Sequence, residues 1–239
     1  MILLDGNLIV SGINVQVVRK DIRNINFSVR APDGQVRVSV PKYITDDALE
    51  SAVLSRLGWI RKKIQTIKSL PTPPVKIYVS GEGHYFMGEP YKLEVVEQSS
   101  KPHILLQTPG TLQMLIRHNT SIAAREKLLY EWYRVELKKR LPPLIEKWQP
   151  IIGKKVSDWG VKRMKTRWGT CNINKKRIWL NLELIKRSEI CLEYVVVHEM
   201  THLLECNHNT RFKKLLDGFM PGWRRIESEL KSNSYIINI

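Results

Sequence analysis

The segment Val195 to Phe212, VVVHEMTHLLECNHNTRF, constrains this chain more than any other stretch. His198 and His202 lie four residues apart in a run that reads as helix. At 3.6 residues per turn they sit about 40° apart on one face, so both imidazoles can reach one ion, with zinc the expected metal. Glu199 follows the first histidine on a neighbouring line of the helix, where it can take a proton from a water on that ion without ligating the ion itself. The preceding turns, Cys191 to Val197, are apolar nearly all round, as a buried site-bearing helix requires. A catalytic zinc usually has three protein ligands. His208 is the first candidate for the third, with Asn207 ending the helix so that the chain turns back. Glu205, Cys206 and Asp217 are the alternatives.

Upstream, the pattern changes twice. Residues 7–19 hold two β-branched runs around Ser11-Gly12, and residues 25–40 alternate on both sides of Asp33-Gly34, so two hairpins are expected. Thr45-Asp46-Asp47 offers N-caps for a helix to about Ser69, with Leu49, Val53, Leu57, Ile60, Ile64 and Ile67 at helical spacing. After Pro71, Pro73 and Pro74 come strand-like pieces at 75–79, 91–97, 103–107 and 111–117, with YFMGEPY turning at Gly88. Residues 121–141 read as helix, interrupted at Pro142-Pro143 and ending by Pro150. A short β segment follows at 162–181, then helices at 188–205, 209–219 and 222–232. No internal repeat is visible. The expected fold class is α+β, with a β-rich region carrying a helix (1–119), then a mostly helical zincin-like domain with a short antiparallel sheet (120–239).

Composition narrows the setting. With 239 residues, 43% of them hydrophobic, the chain can bury a sizeable core. Cys171, Cys191 and Cys206 include no CxxC pair, and the N-terminus has no basic lead-in to an apolar run, so a cytoplasmic protein is expected. No apolar run reaches the ~18 residues that span a bilayer, so no membrane partner is expected. The net charge of +16 favours polyanions. Ten Lys or Arg fall between residues 138 and 167 against Glu146 and Asp158. Trp148, Trp159 and Trp168 are interspersed, a combination that suits single-stranded nucleic acid as well as it suits a solvated face with core tryptophans.

Three further segments complete a pattern: Arg167-Trp168-Gly169-Thr170-Cys171, then Trp179-Leu180-Asn181, then the HExxH helix with Asn207-His208. VRVSVP (36–41), Trp59 to Lys63 and YFMGEPY (85–91) add to it. Together they resemble the YgjP-like zinc metallopeptidases, related to SprT-like and Wss-type proteases. The resemblance implies one Zn2+ per chain on His198, His202 and His208, with Glu199 as catalyst. It departs at Phe212-Lys213, where relatives have Phe-Trp, read here as a change in wall packing or charge. Arg167, Trp168 and Gly169 are candidates to bind substrate, because an edge strand beside a zinc site can pair with an extended peptide.

Three functions fit these residues. The first is a zinc-dependent peptidase acting on protein or peptide, in the neighbourhood of nucleic acid. The second is a metal-dependent nucleoside triphosphate pyrophosphatase, which the resemblance also carries. The third is a nucleic-acid-binding protein with a structural metal. Glu199 opposes the third, because structural zinc sites close with four protein ligands. The lack of a Gly-rich phosphate loop or paired carboxylates favours the first over the second.

Overall fold

The computed structural model describes residues 3–4, 6–30, 33–69, 75–107 and 110–232. Contacts divide them into two units, one ending at Ser69 and the other beginning at Val75.

In the first unit five strands, β1 (Leu3–Leu4), β2 (Asn7–Val10), β3 (Ile13–Lys20), β4 (Asn26–Arg30) and β5 (Gln35–Pro41), form one sheet in the order β1-β2-β3-β5-β4. The β2–β3 turn places Ser11 and Gly12 at φ 48° and 79°, the two left-handed residues whose twist matches a tight hairpin. Val36, Val38 and Val40 alternate inward on β5, as their spacing requires. They pack with Leu49 and Val53 of α1 (Asp46–Ser55) and Ile60 of α2 (Leu57–Ser69). The Thr45 hydroxyl caps α1 by accepting from the Ala48 amide. The single helix expected here breaks at Arg56.

The second unit opens with β6 (Gly83–Phe86), β7 (Glu89–Glu97), β8 (His103–Gln107) and β9 (Thr111–Ile116), ordered β6-β7-β9-β8. Residues 75–79, expected as a strand, are irregular; the Glu82 carboxylate accepts from the Ile77 and Tyr78 amides, which a ladder would otherwise take. The long α3 (Ile122–Ile152) follows. It runs straight through Pro142 and Pro143, where the sequence suggested an interruption. Each internal proline costs on the order of 3 kcal/mol. Seven side chains on one stripe (Leu129, Tyr133, Leu137, Leu141, Ile145, Trp148 and Ile152) are buried and outweigh that cost. Gly153, left-handed at φ 70°, closes the helix.

The boundary expected near residue 119 is therefore not where the contacts part. Phe86, Leu93, Leu112, Met114 and Ile116 share one core with α3 and with everything C-terminal to it. The two units also repeat a connectivity that side chains conceal: two hairpins whose second strands pair in parallel, followed by a helix. The Val36, Val38, Val40 row of β5 has its counterpart in Leu112, Met114, Ile116 of β9.

Last come β10 (Asp158–Lys162), β11 (Gly169–Asn172) and β12 (Arg177–Asn181), then a 3₁₀ turn (Leu182–Lys186) and α4 (Glu189–Thr201), α5 (Thr210–Phe219) and α6 (Trp223–Ser232). The β11–β12 hairpin is antiparallel as expected, but β10 adds in parallel to the other edge of β12, giving a mixed sheet in the order β10-β12-β11. The α+β class holds. Among the described residues no helix is long and apolar enough to cross a membrane.

Candidate metal centre

The helix α4 is held from both ends. Nine of its 13 residues are buried, which explains its lack of polar faces. Ahead of it, the Met87 amide donates to the Ile185 carbonyl at 2.7 Å, and a Cβ on Gly88 would come within 3.1 Å of the Ser188 backbone. The β6–β7 turn thus seats the entry to α4. At the other end the helix stops at Thr201, four residues earlier than expected. The Leu203 and Leu204 amides bond back to Met200 and Thr201 in tight turns, and the chain leaves the axis. His202, with φ −61° and ψ −18°, is still helical, so its ring stays on the His198 face. The chain has reversed before Asn207, which plays no capping role for α4. Asn209 instead caps α5, accepting from the Phe212 amide at 3.0 Å.

The reversal brings the three histidines together. One ring nitrogen of each of His198, His202 and His208 lies within 4.8 Å of the others. Ring centroids are 5.1 Å apart for His198–His202, 4.9 Å for His198–His208 and 4.7 Å for His202–His208. Three imidazoles on a tetrahedral zinc, at about 2.05 Å each, have donor atoms roughly 3.3 Å apart. His208 Nε2 and His198 Nε2 lie 2.9 Å apart, and all three donor atoms fall within 4.8 Å of one another. Outer contacts orient the rings. His202 Nδ1 lies 3.1 Å from the Glu205 carbonyl, and as the donor there it leaves Nε2 free to ligate; the Tyr194 hydroxyl lies 3.4 Å from His198 Nδ1. Burial, then His202 and His208, hold the His198 imidazole down to about 3, and burial lowers His202 as well. Both are therefore neutral at physiological pH, the form that binds metal.

Phe212 was not foreseen as part of the centre. It is 1% exposed, and its ring lies 5.0, 4.7 and 4.8 Å from those of His198, His202 and His208. Its ring meets all three imidazoles, edge-to-face with His198 and His208 and tilted against His202. Two signals pointed to it: its place four residues after His208, and its match to the Phe of the Phe-Trp pair found in similar sequences. The alternative third ligands are engaged elsewhere: Asp217 with Arg224 and the Trp223 indole, and Glu205 with the Asn207 amide. Cys206 is exposed.

Glu199 is 5% exposed, and its carboxyl lies against β11. A Cβ on Gly169 would fall 2.6 Å from Glu199 Oε1, 2.7 Å from Cγ and 2.8 Å from Cδ, closer than real side chains approach. Gly169 is thus a glycine for Glu199's sake. Burial pushes the Glu199 carboxyl up to about 8, opposed by the Arg167 charge. A divalent cation at the neighbouring triad would strongly favour the anion. Of the other expected substrate contacts, Arg167 is exposed, whereas Trp168 is half-buried against the core with the Arg187 guanidinium 5.4 Å from its ring.

The basic stretch 138–167 is partly neutralised. Lys139 and Arg140 pair with Glu136, Lys147 with Glu193, and Arg163 with Glu126 and Glu183. Trp148 is buried and donates to Glu193, and Trp159 packs on the core.

The YgjP-like metallopeptidase domain model matches residues 23–233. This chain belongs to that family. No curated protein sequence matches it. Two crystal structures share similarity with this YgjP-like chain, both of metallopeptidase zymogens. Pyrococcus abyssi abylysin is 20% identical, covering 41% of this chain and 96% of that one, with a TM-score of 0.37. Methanocaldococcus jannaschii jannalysin is 22% identical, covering 40% and 95%, with a TM-score of 0.34. A metallopeptidase requires a metal. Among the described residues of this YgjP-like chain, the histidine triad is the cluster of three or more His, Cys, Asp or Glu able to hold one, and its three neutral-nitrogen donor set fits zinc.

Proposed function

We propose that this chain is a cytoplasmic zinc-dependent peptidase in which His198, His202 and His208 hold one Zn2+ and Glu199 is the general base. The observation that carries the reading is the convergence of three imidazole nitrogens within 4.8 Å, with the glutamate that follows the first of them in sequence buried against Gly169. Three free cysteines suit a reducing compartment.

Bound zinc would supply Lewis acidity, bringing the pKa of a water to about 7 and polarising the scissile carbonyl. Glu199 then accepts a proton from the attacking water on a carboxylate oxygen. The carbon–nitrogen bond breaks as Glu199 returns that proton to the departing nitrogen, so the carboxylate is regenerated. Burial keeps Glu199 from exchanging protons freely with solvent. The strand β11 pairs with β12 on one side, at the end of its sheet, and its other edge can hold an extended peptide by main-chain hydrogen bonds.

Nucleoside triphosphate hydrolysis gains no support from the donor set, which has no paired carboxylates for magnesium. The ion pairs there, and the burial of Trp148, weigh against nucleic-acid binding through 138–167. The test is Glu199→Gln assayed on unfolded protein beside nucleoside triphosphates. The variant should retain one zinc per chain and lose peptide hydrolysis by about 10²-fold or more. Undiminished hydrolysis would remove Glu199 from the chemistry, and hydrolysis of the triphosphate alone would replace the reading.

A further inference from the structure

We infer that Asn181 is a positioning residue for Glu199, acting through the backbone of residues 164–169. The inference rests on the role proposed above for Glu199, and it begins from an unusual degree of satisfaction at one side chain. Asn181 ends β12 and is completely buried. Its Nδ2 donates to the Met164 carbonyl at 2.9 Å and to the Arg167 carbonyl at 2.7 Å. Its Oδ1 accepts from the Met164 and Glu183 amides, both at 3.2 Å. A carboxamide has two N–H donors and one oxygen with two lone pairs, so every site is used. The Asn181 amide also donates to the Trp168 carbonyl at 2.8 Å.

Four of these five bonds end on the connection between β10 and β11, residues 163–168, which has no ladder of its own to fix it. Asn181 supplies the missing ladder and delivers Gly169 to the start of β11. There Gly169 faces the Glu199 carboxylate with no side chain between them. The carboxylate rests on the Gly169 backbone, so the position of that backbone limits where Glu199 can go. The fifth bond caps the 3₁₀ turn that leads into α4, the helix carrying Glu199 itself. One amide therefore fixes both walls of the slot: the loop on one side and the approach to the helix on the other. A residue whose only task was to hold the sheet would need neither bond to the loop carbonyls.

The sensitive test is a pair of variants, Asn181→Ala and Asn181→Asp, in the zinc-loaded full chain. Asn181→Asp keeps the shape and the acceptor but turns both loop donations into carbonyl–carboxylate repulsions, and it remains informative if the alanine variant does not fold. In either folded variant zinc content and KM for an unfolded-protein substrate should stay within twofold of wild type. kcat should fall 10- to 100-fold, affinity for acetohydroxamate should weaken at least tenfold, and amides 164–169 should exchange hydrogen faster. Hydroxamates contact both the metal and the general base, so their affinity reports on Glu199 without turnover. Wild-type kcat and hydroxamate affinity in both variants would overturn the inference. So would loss of zinc in both, which would mark Asn181 as merely structural. If the wild-type chain cleaves no peptide, the peptidase reading falls alone, and hydroxamate affinity with hydrogen exchange still decides the role of Asn181.

Discussion

Replacing Gly169 with alanine tests how closely Glu199, the proposed general base, is held. The added Cβ would lie 2.6 to 2.8 Å from three atoms of the Glu199 side chain. An ordinary non-bonded contact is about 3.5 Å, so the carboxylate has to retreat by roughly 0.8 Å or β11 has to move by as much. A displacement near 1 Å in a catalytic group costs on the order of 10²-fold in rate, equivalent to about 2.7 kcal/mol of barrier. Overpacking should also cost about 1–3 kcal/mol of stability. Because the three atoms nearest that Cβ all belong to Glu199 and none to a histidine, zinc should remain at one per chain. The assay is kcat on an unfolded protein substrate, with metal content and thermal unfolding measured on the same preparation. Gly160→Ala is the control. Its Cβ would strike the Trp179 ring at 2.2 Å and should destabilise at least as much, yet it presses on no part of the triad or Glu199. If Gly169→Ala retained wild-type kcat, or if both variants lost activity only in proportion to unfolding, the packing argument for Glu199 would be wrong.

Other consequences follow from the same geometry. Phe212→Leu keeps an apolar side chain but removes the aromatic ring that contacts three imidazoles, so zinc affinity should fall about tenfold, as for loss of an outer-shell partner; competition with a chelator reads it, and an unchanged affinity would show that the imidazoles need no such ring. His84 offers a pH test away from the site. Burial lowers its imidazole to about 4, against the opposing pull of the Glu82 carboxylate 2.8 Å away, whereas in the unfolded chain it titrates near 6.5. The folded protein therefore binds its proton later, and the stability His84 confers is intact above pH 6.5 and lost as pH falls towards 4. The slope is at most about 1.4 kcal/mol per pH unit. Denaturant melts of wild type and His84→Gln between pH 7 and 4.5 should converge towards acid, and parallel curves would refute the burial argument.

Much of the candidate centre is legible in the sequence. The four-residue spacing of His198 and His202 places two rings on one helical face whatever surrounds them, and Glu199 follows from it. His208 was legible only as a candidate, because its position depends on where α4 stops. That stop comes from tight turn bonds at Leu203 and Leu204, not from a glycine or Asn207, so the expected end fell four residues late. Gly169, a candidate substrate contact in the sequence, packs directly against Glu199, which lies 30 positions away in sequence. Asn181 and Phe212 both fall in the segments that carry the family resemblance, but what they do is set by backbone hydrogen bonds and ring packing that the motif does not spell out. Elsewhere, two prolines suggested a break in α3 because their cost is local and the buried stripe that offsets it is tertiary. The repeated hairpin–hairpin–helix connectivity was hidden because strand pairing in parallel leaves no mark on spacing.

The most direct measurement is X-ray absorption at the zinc edge on the metal-loaded chain. Three imidazole nitrogens near 2.0 Å and one light atom in the remaining position are expected, with one imidazole lost in His208→Ala. A sulfur shell near 2.3 Å, or the same three imidazoles in the variant, would contradict the assignment of His198, His202 and His208 as the metal's ligands.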